Sequence, residues 1–233
     1  MPGESTTRLR RPSNPWLELP TRPPYVLPAD RPHVEAFNRQ QSKSAYRLKL
    51  EMIPEPFMGP RDARLVFLNR NPGAGEGDPE LHRANRRYVA ALRANFDPDR
   101  DGHLGPALLS EFEDTPAGRW CRRSFKALIQ HAGSTEELAR KMLSVEFHGY
   151  HSKSWCPIGI TLPSQHYGFW LVECAIRRGA TIVIARGRRD WEVAVPALYG
   201  YEGVVTMRNP QNSAVTPGNC DPGGFERIIA ALG

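Results

Sequence analysis

Three short stretches hold the side chains of this sequence best suited to chemistry. In the first, Asn71-Pro72-Gly73-Ala74-Gly75-Glu76-Gly77-Asp78, a carboxamide and two carboxylates share a glycine-rich turn. Asn71 is the leading candidate. It stands where the apolar run Leu65–Leu68 ends, and in open α/β sheets the carboxyl ends of strands carry the chemistry. Asp78 or Glu76 offers a carboxylate that can act as a general base; Asp78 is equally suited to capping the helix that follows. The backbone N–H groups of Gly73 to Gly77 can stabilise developing negative charge or grip a phosphate. In the second stretch, His148-Gly149-Tyr150-His151, the two histidines offer hydrogen-bond donors, or a chelating pair for which no third ligand is evident, so no metal is expected. The third, Asn209-Pro210-Gln211-Asn212-Ser213-Ala214-Val215-Thr216, is an amide-rich turn.

These stretches need elements to hold them. Leu65–Leu68 is apolar at every position, as expected of a strand buried on both faces of a parallel sheet. Further apolar runs at 142–147, 181–185 and 203–207 read as strands, and each is followed by a helical pattern. Helices are expected at 33–52, 79–96, 118–132, 135–141, 164–178, 190–198 and 223–232. Ser134 with Glu137 three residues on is a capping-box signature. This alternation predicts an α/β fold with parallel strands and right-handed crossovers. Residues 1–35, rich in proline and arginine, read as an arm packed on the domain through Trp16, Leu17, Leu19, Tyr25, Val26 and Leu27. Residues 36–233 read as one domain. The loop at 97–104 is marked by Asp97-Pro98 and Asp101-Gly102.

Composition narrows the class. With 40% hydrophobic and 24% charged residues the chain is ordinary for a globular protein. It has no apolar run long enough to span a bilayer and no signal-peptide core, so a cytoplasmic setting is expected. Cys121, Cys156, Cys174 and Cys220 are widely spaced, which argues against a zinc ribbon, a disulfide framework or an iron–sulfur cluster. No cofactor is expected. A net charge of +6 attracts phosphate backbones. Arginine predominates over lysine, as suits bidentate phosphate contact, though coding bias explains it as well. Arg83, Arg86, Arg87 and Arg93 lie on the helix after the glycine-rich loop, placed either for phosphate contact or for solvation.

Asn71-Pro72-Gly73 after an apolar strand resembles the first motif of the uracil-DNA glycosylase superfamily, in its mismatch-specific and single-strand-selective branches. Asn209-Pro210-Gln211-Asn212-Ser213-Ala214 resembles the Asn-Pro-Ser motif of the mismatch-specific branch. Ile182 to Arg188 is similar to the third-strand segment. The likeness runs in order over residues 36–232. It implies a three-layer sandwich around a four-stranded parallel sheet and a monofunctional glycosylase that works on DNA as a monomer. In this reading Asn71 positions the attacking water, with Asp78 as a further catalytic candidate. Gly73, Ala74, His148 and His151 lie where relatives contact the flipped base. The loop 209–216 enters the minor groove, with Gln211, Asn212 and Val215 as wedge and probes, and Asn209, Ser213, Arg83 and Arg87 as further DNA contacts. Hydrolysis requires the base to leave as an anion while the sugar becomes cationic, so the site must hold water and supply donors to the leaving base.

Where uracil-specific members carry a bulky aromatic after the first motif, this chain has Gly73, Ala74, Gly75 and Gly77. Asn209 replaces the more familiar histidine. The small residues leave space for a substituent on the pyrimidine 5-position. This favours a bulky 5-modified cytosine, such as the glucosylated hydroxymethylcytosine of phage DNA, over uracil or a mismatch. Other readings are a nucleotide-binding α/β protein, which the lack of a Gly-x-Gly-x-x-Gly or Gly-Lys-Ser/Thr pattern disfavours, and a DNA-binding member without catalysis. No Gly-x-Ser-x-Gly supports a serine hydrolase.

Overall fold

The computed structural model describes residues 11–97 and 104–233. The expected basic start at Arg8 and Arg10, and the turn at Asp101-Gly102, lie outside the described residues. The architecture is α/β. Strands β1 (Phe57–Met58), β2 (Leu65–Asn69), β3 (Met142–Glu146), β4 (Thr181–Ile184) and β5 (Val204–Thr206) form one sheet in the order β1-β3-β2-β4-β5. The sheet is therefore five-stranded and mixed, where four parallel strands were expected. The four expected strands are parallel to one another, and β1 is an additional antiparallel edge paired to β3 through Phe57 with Val145. Two residues between prolines carry no readable periodicity, so β1 leaves no signal in the sequence.

Nine α-helices are described: α1 (Arg31–Gln40), α2 (Asp78–Ala84), α3 (Arg86–Ala94), α4 (Pro116–Ser124), α5 (Lys126–Ala132), α6 (Thr135–Lys141), α7 (Gln165–Arg177), α8 (Arg188–Ala194) and α9 (Gly224–Leu232). The helix expected over 79–96 is broken at Asn85, whose side chain accepts from the Tyr88 N–H and starts α3 afresh. The helix expected over 118–132 breaks at Phe125, which packs edge-on against Phe67 in the core. The helix expected to run to 52 ends at Gln40. Beyond it the chain makes a short 3-10 turn (Ser44–Tyr46) and lies beside the segment after β3, tied by hydrogen bonds from Lys49 N to the His151 carbonyl and from Glu55 N to the Gly149 carbonyl.

The pleat divides β2 between two cores. Val66 and Leu68 face a cluster containing Trp16, Val34, Tyr88, Leu171 and Trp191; Leu65 and Phe67 face one containing Leu128, Leu138 and Ile228. Of the N-terminal segment, Trp16, Leu19, Val26 and Leu27 are buried, while Leu17 is exposed. All four cysteines are free. Among the described residues no helix is long and apolar enough to cross a membrane.

Candidate active site

The parallel strands fix where a site can form. From β2 the chain crosses to β3 on one side, whereas from β4 it crosses to β5 on the other. The carboxyl ends of β2 and β4 thus flank the switch point of the sheet, where ligands bind in open α/β folds. A cavity of about 380 Å³ opens there, within the size range of small-molecule sites. Its lining comes from the loop after β2 (Asn71 to Gly75), the loop after β3 (His151 to Trp155), α4 (Trp120, Cys121) and the segment before β1 (Glu55).

Asn71 Nδ2 donates to Ser152 Oγ at 2.9 Å and to the Pro72 carbonyl at 3.0 Å, so the carboxamide is held between the β2 and β3 loops. Gly77 enters α2 with φ +87°, a left-handed conformation that favours glycine. Asp78 then opens α2, and its Oδ2 accepts from the Gly75 N–H at 2.7 Å. The carboxylate lines the cavity while closing the glycine-rich loop, which explains the loop geometry without a catalytic role. Gly73 and Gly75 also line the cavity; Ala74 does not.

Of the two histidines, only His151 reaches the cavity. Both of its ring nitrogens point at carbonyl oxygens, Nδ1 at Gly73 (2.7 Å) and Nε2 at Ile53 (2.9 Å). Both contacts become hydrogen bonds only when each nitrogen carries a proton. The Glu55 carboxyl lies 3.6 Å from Nε2. His148 instead stacks behind the cavity wall on Trp155, with ring centroids 5.2 Å apart. Burial, and then the charge of His151, pull its imidazole down to about 3, so it is neutral. The expectation that His148 contacts a base is thus corrected: β3 ends at Glu146, the chain bends at Phe147–His148, and the His148 ring packs on Trp155 instead of lining the cavity.

Sequence reasoning missed two acids of the cavity lining, Glu55, which is buried, and Glu146, which is partly buried. Glu55 is 6% exposed; burial raises its carboxyl, against the lowering effect of His151, and it shares a hydrogen bond with Tyr88. Glu146 ends β3, where burial and then the nearby Glu55 push its carboxyl up to about 8. The available signal was a carboxylate in a largely apolar stretch, Met52-Ile53-Pro54-Glu55-Pro56-Phe57 and Leu143-Ser144-Val145-Glu146-Phe147. His82 was also missed. Its Nδ1 accepts from the Ile53 N–H at 3.0 Å, and burial followed by the His151 charge holds it neutral, at about 3.

Glu55, His82 and His151 have the composition of a metal site and lie close together. Their hydrogen bonding argues otherwise, because both His151 nitrogens and one His82 nitrogen are engaged by the backbone. Cys121 lines the cavity, but burial pushes its thiol up to about 12, so it is no nucleophile. Half-buried Trp120 offers a ring face, whereas Trp155 is taken up by the stacked His148 and by the Arg70 guanidinium 5.3 Å from its centroid; Lys153 and Arg186 add positive charge.

The amide-rich loop stands nearby. Asn209 Oδ1 accepts from Gln211 N, and Asn212 Oδ1 from Ala214 N; Ser213 Oγ meets Ser124 Oγ at 2.7 Å. Buried Asn219 organises the turn, accepting from Asn209 N and donating to the carbonyls of Asn212 and Ala214. Gln211 and Asn212 are exposed, but Val215 is buried in the second core and anchors the loop, so it is not a wedge. Arg186 Nε donates to the Pro210 carbonyl at 3.1 Å, joining this loop to the cavity rim. Arg83 pairs with Glu80, and Arg87 is exposed on α3.

Searches against known protein families, curated proteins and solved structures found no match for this chain.

Proposed function

We propose that this protein is a monofunctional DNA glycosylase that hydrolyses the N-glycosidic bond of a flipped, non-standard pyrimidine. The observation that carries the reading is the fixed Asn71 carboxamide at the carboxyl end of the central strand, beside a cavity that the Trp120 ring lines and arginine and lysine rim. A flat base suits the Trp120 ring, and a phosphate backbone suits the rim. An amide orients water but is a weak base, so the reaction leans on departure of the base. The exposed turn at Gln211 and Asn212 is suited to filling the gap left in the duplex. Gly73 and Gly75 leave the cavity wall free of side chains on that edge, which favours a bulky 5-modified cytosine such as the glucosylated base of phage DNA.

The reading predicts that Asn71→Ala abolishes base release and leaves DNA binding nearly unchanged. Base release undiminished in the variant would remove Asn71 from the site.

A further inference from the structure

A second cavity, of about 420 Å³, opens at the same carboxyl edge of the sheet, lined by α7, α8 and the segment after β3. Phe147, just past β3, and Phe169 on α7 give it an apolar floor, their rings 5.4 Å apart. His166 on α7 and Arg189 on α8 also line it, and both are exposed. The neighbouring Arg188 is paired with Glu192, whereas Arg189 has no partner among the described residues.

Two contacts make this cavity the neighbour of the Asn71 cavity. Asp190, in its lining, meets Arg70 Nε at 3.3 Å, and Arg70 lines the Asn71 cavity. Phe147 meets Trp155, which also lines the Asn71 cavity, edge-on with centroids 6.2 Å apart. At these two points a single pair of side chains divides the cavities. The first contact depends on glycine, because a Cβ at Gly187 would stand 2.9 Å from Arg70 Cγ. Arg70 also balances the Asp190 carboxylate, so the charge left for a ligand is that of Arg189.

We infer that this second cavity binds a nucleotide, with its ring on the apolar floor and its phosphate at Arg189 and His166. Its occupant is the nucleotide next in the strand to the one held in the Asn71 cavity. An arginine fork suits phosphate oxygens, and an imidazole has an N–H to donate in either tautomer. An apolar floor with a few polar groups beside it is the make-up of a small-molecule site, and the volume falls in the range of such sites. Single-stranded nucleic acid is held in the same manner, by cations along its backbone and ring contacts to its bases. A strand that fills the Asn71 cavity has only one pair of side chains to cross before it reaches the second cavity. The assignment to a strand rests on the glycosylase reading; the nucleotide chemistry does not.

Titrations of the full chain, followed by NMR of the His166 imidazole, test the inference without any base release. His166→Gln identifies the signal. The probes are thymidine 5′-monophosphate and a single-stranded thymidine octamer. Both should shift the wild-type signal, and a shift with the octamer alone also supports the inference. Val193→Trp adds an indole to the cavity lining from an exposed position on α8 and should weaken octamer binding about tenfold, at the lower end of what one bound base contributes. Arg189→Gln should make the slope of log K against log salt for the octamer shallower by about 0.7. An octamer that leaves the His166 signal unmoved and binds Val193→Trp as tightly as wild type overturns the strand assignment and leaves the glycosylase reading intact. If the monophosphate then shifts the signal, the cavity takes a free nucleotide; if neither probe does, the whole inference falls. If wild type releases no base from any DNA, the glycosylase reading falls, and the same titrations still decide the nucleotide site.

Discussion

His151 Nδ1 and the Gly73 carbonyl oxygen stand 2.7 Å apart, which ties the end of the β3 segment to the glycine-rich loop after β2. On its other side the same ring meets the Ile53 carbonyl, and Lys49 N donates to the His151 carbonyl. One residue therefore joins the three segments that form the cavity floor. His151→Ala should cost about 2 kcal/mol of unfolding free energy, because the Gly73 and Ile53 carbonyls lose the ring that faces them in a largely buried setting. Urea denaturation would measure it. A loss under about 0.5 kcal/mol would mean that the three segments hold together without this ring.

Much of this arrangement could be read from sequence, for physical reasons that differ by element. The strand at Leu65–Leu68 was legible because burial on both faces leaves no polar residue, and Asn71 was legible because it follows that strand. β1 was not, since its residues are positioned by pairing with β3 rather than by a pattern of their own. Glu55 was hidden because its role depends on His151 and Tyr88, distant in sequence and adjacent in space. The break at Asn85 was hidden because the apolar spacing of Leu81, Tyr88 and Leu92 continues across it. His148 misled because the sequence shows both histidines at the end of one strand but not the bend at Phe147–His148, after which only the second ring reaches the cavity.

Buried neutral histidines set an acid limit on stability. His82 and His148 are both lowered to about 3, whereas an unfolded histidine takes its proton near 6.5. The unfolded state thus binds more protons between these values, and stability falls as pH falls through that window. Each histidine contributes up to about 1.4 kcal/mol per pH unit there. Glu146 acts in the opposite sense: its carboxyl is raised to about 8, so its contribution is lost as pH rises from about 4.5 through 8. Glu146→Gln should therefore gain stability relative to wild type on going from pH 5 to 8. A constant difference between the two across that range would contradict the assignment.

Asn219 holds the amide-rich turn through one accepted and two donated side-chain hydrogen bonds. Asn219→Ala should lower action on duplex DNA more than on single strands, because only the duplex needs a formed wedge at Gln211 and Asn212. Single-turnover rates on matched duplex and single-stranded substrates would distinguish the cases; equal losses on both would remove the wedge assignment.

Lys153 is exposed and lines the cavity rim. If it neutralises one phosphate, Lys153→Gln should weaken DNA binding and make the slope of log K against log salt shallower by about 0.9. An unchanged slope would place the DNA elsewhere on the surface.

The central claim is that the Asn71 cavity releases a modified base. The direct measurement is abasic-site formation, read by alkali cleavage, on matched DNAs carrying uracil, unmodified cytosine or glucosylated hydroxymethylcytosine. The account predicts abasic sites in the glucosylated DNA alone with wild-type protein, and none with Asn71→Ala. Release from the uracil DNA alone would contradict the bulky-base assignment, and equal release by wild type and Asn71→Ala would contradict the site itself.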